Sequence, residues 1–141
     1  MGQVWIATHN ADSWQAAGAK RYPVWFALVN AEDIRTVYVN TREGAGTSVV
    51  ALVKGSGLDG SGDSTVLASR SEPAGAQDLP ALPPLFHLDL IETLHQARQL
   101  DEATPVYVRA ECEKGSWRWR VYTYEQLRER IEMENLAAEA L

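Results

Sequence analysis

The feature that most constrains the fold is a pair of alternating segments joined by Lys114-Gly115. Residues 105–112 and 117–123 each alternate apolar with polar side chains, which is the pattern of a β-strand with two unlike faces. The Lys-Gly pair between them suits a two-residue turn, because such turns need backbone conformations that glycine adopts readily. The sequence therefore predicts a β-hairpin over residues 105–123.

A two-residue turn also predicts the register and the two faces of this hairpin. The predicted cross-strand pairs are Cys112 with Trp117, Glu111 with Arg118, Ala110 with Trp119, Arg109 with Arg120 and Tyr107 with Tyr122. One face then carries Trp117, Trp119 and small apolar residues, which are typical of a core. The other face is rich in arginine and tyrosine, and we expect its guanidinium groups to point outward.

Two interpretations of the arginine and tyrosine face remain open. Arg109 directly opposite Arg120 is a like-charge pair, which is mildly destabilising unless an anion lies above it. In the first interpretation, glutamates of the last helix, such as Glu125 or Glu129, pack over the arginines. In the second, the guanidinium groups bind a phosphate or carboxylate and the rings stack on a base or a partner's side chain. The candidate anion- or partner-binding residues are Tyr107, Arg109, Arg118, Arg120 and Tyr122.

The rest of the chain predicts an α+β fold. Further strands are predicted at 3–8, 24–29, 34–40, 47–54 and 65–69. Helices are predicted at about 12–18, 85–100 and 124–140, the last opened by a Thr123/Gln126 capping box. We expect a mainly antiparallel sheet of about six or seven strands, packed with the helices in two layers. The glycine- and serine-rich segment 55–64 and the proline-rich segment 71–84 are predicted to be a flexible loop and an extended connector.

Composition limits the class of protein. The chain has 141 residues, 45% of them hydrophobic, which suits one globular domain over 1–141. Its net charge of −6 gives no general attraction to nucleic acid. It has a single cysteine, no apolar run long enough for a membrane helix and no secretory signal. We expect a cytoplasmic protein of bacterial or phage origin with no membrane contact.

A second candidate site consists of polar residues near the first strand. His9, Asn10 and Asp12 follow that strand, where α/β enzymes often place their sites, and His87 lies near the start of a predicted helix. Residues 55–60 match the GxGxxG pattern of dinucleotide-binding folds but lack the helix that must follow it. The pair Glu92 and His95 occurs only once, whereas a di-iron site needs two. The sequence therefore predicts no metal and no cofactor.

These observations favour a non-enzymatic binding or interaction protein. The last helix is apolar on two sides, one of which carries Met133 and Leu136, so it suits a homodimer or a partner contact. We expect an acidic protein partner, or a small anionic ligand, on the arginine and tyrosine face. The alternatives are a nucleotide-type ligand or single-stranded nucleic acid on the same face, and a small enzyme built around His9, Asn10 and Asp12.

Overall fold

The computed structural model describes residues 3–10, 27–42, 46–54, 63–70, 81–100 and 104–139. These residues form an α+β fold with two α-helices and two four-stranded sheets. The strands are β1 (Val4–Ala7), β2 (His9–Asn10), β3 (Leu28–Asn30), β4 (Ile34–Arg42), β5 (Gly46–Val53), β6 (Asp63–Arg70), β7 (Val106–Glu113) and β8 (Ser116–Tyr122). The helices are α1 (Phe86–Arg98) and α2 (Tyr124–Glu139), and a 3-10 turn covers Ala31–Asp33.

The strands divide between two sheets, which differs from the predicted single sheet in two layers. The first sheet has the order β3-β1-β7-β8 and the second has the order β2-β6-β5-β4. The chain passes from one sheet to the other at Thr8, between β1 and β2. The pairs β1–β3, β4–β5, β5–β6 and β7–β8 are antiparallel, whereas β1–β7 and β2–β6 are parallel. Such parallel pairings join segments that are far apart in the sequence, as Val4 pairs with Val106. Local sequence patterns therefore do not predict them.

The predicted hairpin is confirmed in position and in register. All five predicted cross-strand pairs are present between β7 and β8. Lys114 and Gly115 both have positive φ, at 51° and 78°, as a type I′ turn requires. This turn matches the right-handed twist of the two strands, so it sets which residue faces which along the whole hairpin.

The predicted core face of the hairpin is also confirmed. Trp117 and Trp119 are each 8% exposed and belong to a cluster that joins α1 with residues of both sheets. The ring of Phe86 on α1 stacks on Trp119 with 4.7 Å between centroids. The indole Nε1 of Trp119 donates a hydrogen bond of 2.9 Å to the Phe86 carbonyl, which satisfies the one polar atom of this buried ring.

Several predicted features lie partly or wholly outside the described residues. The short helix predicted at 12–18 lies outside them, as do residues 55–62 and 71–80, which make up most of the two predicted loops. Neither helix of the described ranges is long and apolar enough to cross a membrane.

Candidate functional site

Helix α2 lies over the arginine and tyrosine face of the first sheet. Only Thr123 separates β8 from α2, so the helix folds straight back onto the strand it follows. The predicted capping box is confirmed: the Thr123 hydroxyl accepts from the Gln126 backbone N–H, and the Gln126 side chain accepts from the Thr123 backbone N–H. The apolar contact consists of Leu127 and Ile131 on α2 against Ala7, Tyr107 and Tyr122 on the sheet.

Arg109 is buried in this interface instead of pointing into solvent. Its side chain is 1% exposed, and its two terminal nitrogens donate to the two oxygens of Glu134 at 2.8 and 2.7 Å. A third bond of 3.1 Å reaches the carboxylate of Glu111. A glutamate of the last helix therefore packs over the predicted arginine face, but it is Glu134, while Glu125 and Glu129 are exposed.

The contacts around Arg109 keep it charged. Burial by itself lowers the pKa of a guanidinium, since it disfavours the charged form. The hydrogen bonds and negative charges of Glu134 and Glu111 outweigh burial and raise the pKa of Arg109 above its ordinary value. The site therefore holds a permanent buried cation that needs carboxylate partners at every physiological pH.

Tyr122 and Arg130 complete the network around Glu111. The Tyr122 hydroxyl donates to Glu111 Oε2, and both burial and this contact raise the pKa of Tyr122 above its ordinary value. Arg130 Nε lies 3.6 Å from Glu111 Oε1 and 3.4 Å from Glu134 Oε1. The carboxylates of Glu111 and Glu134 thus each lie between Arg109 and Arg130, and the Tyr122 hydroxyl stays a hydrogen-bond donor.

The other two arginines of the face lie nearer to solvent. Arg120 forms an ion pair with Glu113, and its guanidinium carbon lies 6.0 Å from the centre of the Tyr122 ring. Arg118 is exposed and forms no ion pair with any residue in the described ranges. Four arginines therefore meet three glutamates on this side of the protein, and Arg118 carries the surplus charge.

An apolar pocket of about 220 Å³ lies beside the charged network, between α2 and the first sheet. Its walls are Leu28 of β3, Tyr107 of β7, and Tyr124, Leu127 and Ile131 of α2. Arg128 and Glu132, also on α2, line it as well. Both are exposed and joined by an ion pair of 3.0 Å, so they lie at the opening. Tyr107 therefore contributes to the pocket, whereas its predicted site partner Arg109 belongs to the charged network.

The second candidate site is only partly described. His9 and Asn10 form β2 in the second sheet, where they pair with Ala68 and Ser69, and Asp12 lies outside the described residues. His87 is on α1, and its Nδ1 is buried with no hydrogen-bond partner among the described residues. No group of three or more metal-ligating side chains occurs in the described part of the chain.

Sequence reasoning did not identify Glu134 or Arg130 as members of the network. A signal for Glu134 was present, because it follows Leu127 and Ile131 at helical spacing and so lies on the same stripe of α2. A carboxylate on the apolar stripe of a helix that covers an arginine face indicates a buried ion pair. Arg130 lies one turn before Glu134, where it reaches both Glu134 and Glu111.

Comparison with known proteins adds no relative from which a function could be transferred. The chain matches no protein-family model, and neither the curated proteins nor the solved structures contain a significant match to it.

Proposed function

We propose that the protein is a non-enzymatic binding protein that contacts an acidic protein partner through a basic–apolar surface. This surface consists of Arg118, Arg120 and Arg130 together with Met133 and Leu136. The observation that carries the proposal is the exposed guanidinium of Arg118, which has no carboxylate partner in the described ranges. It is the member of the predicted arginine and tyrosine face that is left open for an external anion.

The apolar half of the surface supports the same proposal. Met133 is 56% exposed and Leu136 is 64% exposed, and they follow Arg130 on α2 by three and six residues. Arginine and methionine are enriched at protein–protein contacts, where apolar residues supply buried area and arginine supplies hydrogen bonds. A surface that combines them suits a protein segment carrying both carboxylates and apolar side chains.

The charge of the whole chain makes this contact local. A net charge of −6 repels an acidic partner at long range, so attraction arises only within about a Debye length, roughly 10 Å at 0.1 M salt, of the arginines. Affinity should therefore fall with added salt, while the apolar residues retain part of the binding.

The burial of Arg109 and Tyr122 favours a protein partner over a nucleotide or single-stranded nucleic acid. Those ligands need open aromatic rings for stacking and free guanidinium groups for phosphate, and α2 covers the Tyr122 ring and the Arg109 fork.

We retain the cytoplasm as the proposed compartment, supported by Cys112, which is a free thiol.

The test is binding of a short fluorescent peptide rich in glutamate and leucine to three proteins. They are the wild type, Arg118→Glu, and the matched control Arg35→Glu, which reverses an exposed arginine on β4 in the second sheet. We expect Arg118→Glu to weaken binding about fivefold, because reversing one interface charge costs on the order of 1 kcal/mol. Arg35→Glu should bind like the wild type.

Three outcomes would overturn the proposal. The first is no binding of the peptide to the wild type, and the second is equal weakening by both reversals, which would indicate a general charge effect. The third is tighter binding of an oligothymidine than of the peptide, which would favour the nucleic-acid alternative. Sedimentation velocity on the wild type and on Met133→Lys distinguishes an acidic partner from a second copy of the chain. If the wild type is a dimer and Met133→Lys dissociates it, the surface binds a second copy of the chain.

A further inference from the structure

We propose that the pocket between α2 and the first sheet binds a free α-amino acid with an aromatic or branched apolar side chain. The pocket is lined by residues of α2 other than those of the basic–apolar surface, so binding there does not depend on the proposed partner. It rests on the size of the pocket, its apolar walls and the charges at its opening.

The size and walls of the pocket match a single apolar side chain. An engineered cavity of about 150 Å³ lined by apolar side chains holds benzene, so a volume of about 220 Å³ has room for one substituted ring or a branched chain. It is smaller than pockets for drug-sized ligands, which span roughly 300–1,000 Å³. The rings of Tyr107 and Tyr124 are 6.3 Å apart at an angle of 57°, and such tilted rings offer edges and faces to an aromatic guest.

The opening of the pocket carries one positive and one negative charge, from Arg128 and from Glu132 one turn further along α2. Tyr124, Arg128 and Glu132 follow one another at intervals of four residues, so they form one stripe along α2. Arg128 Nε contacts Glu132 Oε1 at 3.0 Å. Tyr124 and Glu132 both act on Arg128, and the hydrogen bond and charge of Glu132 are the largest causes that raise its pKa.

A zwitterionic head complements this pair better than a single charge does. An α-carboxylate can lie against the Arg128 guanidinium while the α-ammonium lies against the Glu132 carboxylate, so both side chains keep an opposite charge. A ligand with only a carboxylate competes with Glu132 for Arg128, and one with only an ammonium competes with Arg128 for Glu132. Since both side chains are mostly exposed, the head supplies selectivity, and the apolar body supplies most of the affinity.

The experiment is a titration of the full chain with free amino acids and their blocked analogues, followed by NMR. The probes are L-phenylalanine, L-leucine, N-acetyl-L-phenylalanine, L-phenylalaninamide and glycine. We expect the two free apolar amino acids to shift the methyl signals of Leu28, Leu127 and Ile131. Each blocked analogue removes one charge and should bind several-fold more weakly, and glycine, which lacks an apolar body, should not bind measurably.

Two variants locate the binding. Arg128→Gln alters only an exposed side chain, so we expect it to fold normally and to remove the preference for free L-phenylalanine over L-phenylalaninamide, which lacks the carboxylate that Arg128 would bind. The matched control is Arg98→Gln, an exposed arginine near the end of α1, which should keep that preference. Ile131→Phe adds volume at the pocket wall and should abolish binding of L-phenylalanine.

The proposal is wrong if neither L-phenylalanine nor L-leucine shifts the pocket methyl signals up to its solubility limit. It is equally wrong if the free and blocked forms bind alike, or if Arg128→Gln keeps the wild-type preference. Loss of glutamate-peptide binding in Arg118→Glu bears only on the basic–apolar surface, so the two proposals can fail separately.

Discussion

Replacing Glu134 with glutamine should weaken the attachment of α2 more than any exposed substitution on that helix. The change keeps the size of the side chain but removes the charge that both terminal nitrogens of Arg109 contact at 2.7–2.8 Å. Arg109 is 1% exposed, so water cannot replace the lost carboxylate. Removing one partner of a buried ion pair costs about 3–5 kcal/mol, because the other charge stays buried without compensation.

Two features of the structure reduce that figure. The Glu134 side chain is 23% exposed, and Glu111 remains 3.1 Å from Arg109 after the substitution. We therefore expect Glu134→Gln to lower the free energy of unfolding by about 2–3 kcal/mol. The control is Glu132→Gln, which removes an exposed ion pair with Arg128 and should cost no more than about 0.5 kcal/mol.

Urea unfolding at neutral pH measures both variants, with tryptophan fluorescence, to which the buried Trp117 and Trp119 contribute, as the signal. A double-mutant cycle with Arg109→Met then isolates the pair, since Glu134→Gln should cost much less when Arg109 is already absent. Two results would refute the reasoning. One is that Glu134→Gln costs less than about 0.5 kcal/mol in the protein that keeps Arg109, and the other is that it costs the same with Arg109 as with Arg109→Met. It would mean that Glu134 does not compensate the charge of Arg109.

Two further predictions concern the hairpin. Tyr122→Phe should cost about 1–2 kcal/mol, because Glu111 loses a buried donor. Since the folded state raises the pKa of Tyr122, the hydroxyl stabilises the fold fully below the unfolded value of about 10, and that stability is lost as pH rises beyond it. Urea unfolding between pH 8 and 11 should therefore show a shallower alkaline fall for Tyr122→Phe, and an unchanged slope would contradict this. Lys114→Asn should raise the free energy of unfolding by about 0.5–1 kcal/mol, because asparagine tolerates the positive φ of this position better than lysine does. A lower thermal midpoint for Lys114→Asn than for the wild type would contradict this prediction.

The hairpin could be predicted because its determinants are local. Two turn residues with positive φ align the flanking strands, and alternation then places each side chain on a known face. This reasoning recovered the pairing of Arg109 with Arg120 and the burial of Trp117 and Trp119. The capping box at Thr123 is local in the same sense, since both of its hydrogen bonds join residues three apart.

The two-sheet arrangement and the identity of the covering glutamate depend on distant packing. Nothing near Val4 indicates that it pairs with Val106, because parallel partners are separated by long connections. The covering glutamate depends on how α2 is rotated about its axis, which is set by Leu127 and Ile131 packing against the sheet. A rotation that buries those two residues also turns Glu134 toward Arg109 and leaves Glu129 in solvent.

The way in which the carboxylates are shared around the like-charge pair of Arg109 and Arg120 explains why we propose binding at Arg118, near the turn of the hairpin. Glu111 and Glu113 share the face with Arg109, so each of the two opposed arginines finds a different carboxylate: Arg109 contacts Glu111, and Arg120 contacts Glu113. Arg118 lies opposite Glu111, but Oε2 of that carboxylate accepts from Arg109 and from the Tyr122 hydroxyl, and Arg130 Nε lies 3.6 Å from its Oε1. The network thus neutralises its own interior and leaves the unmatched charge where a partner can reach it.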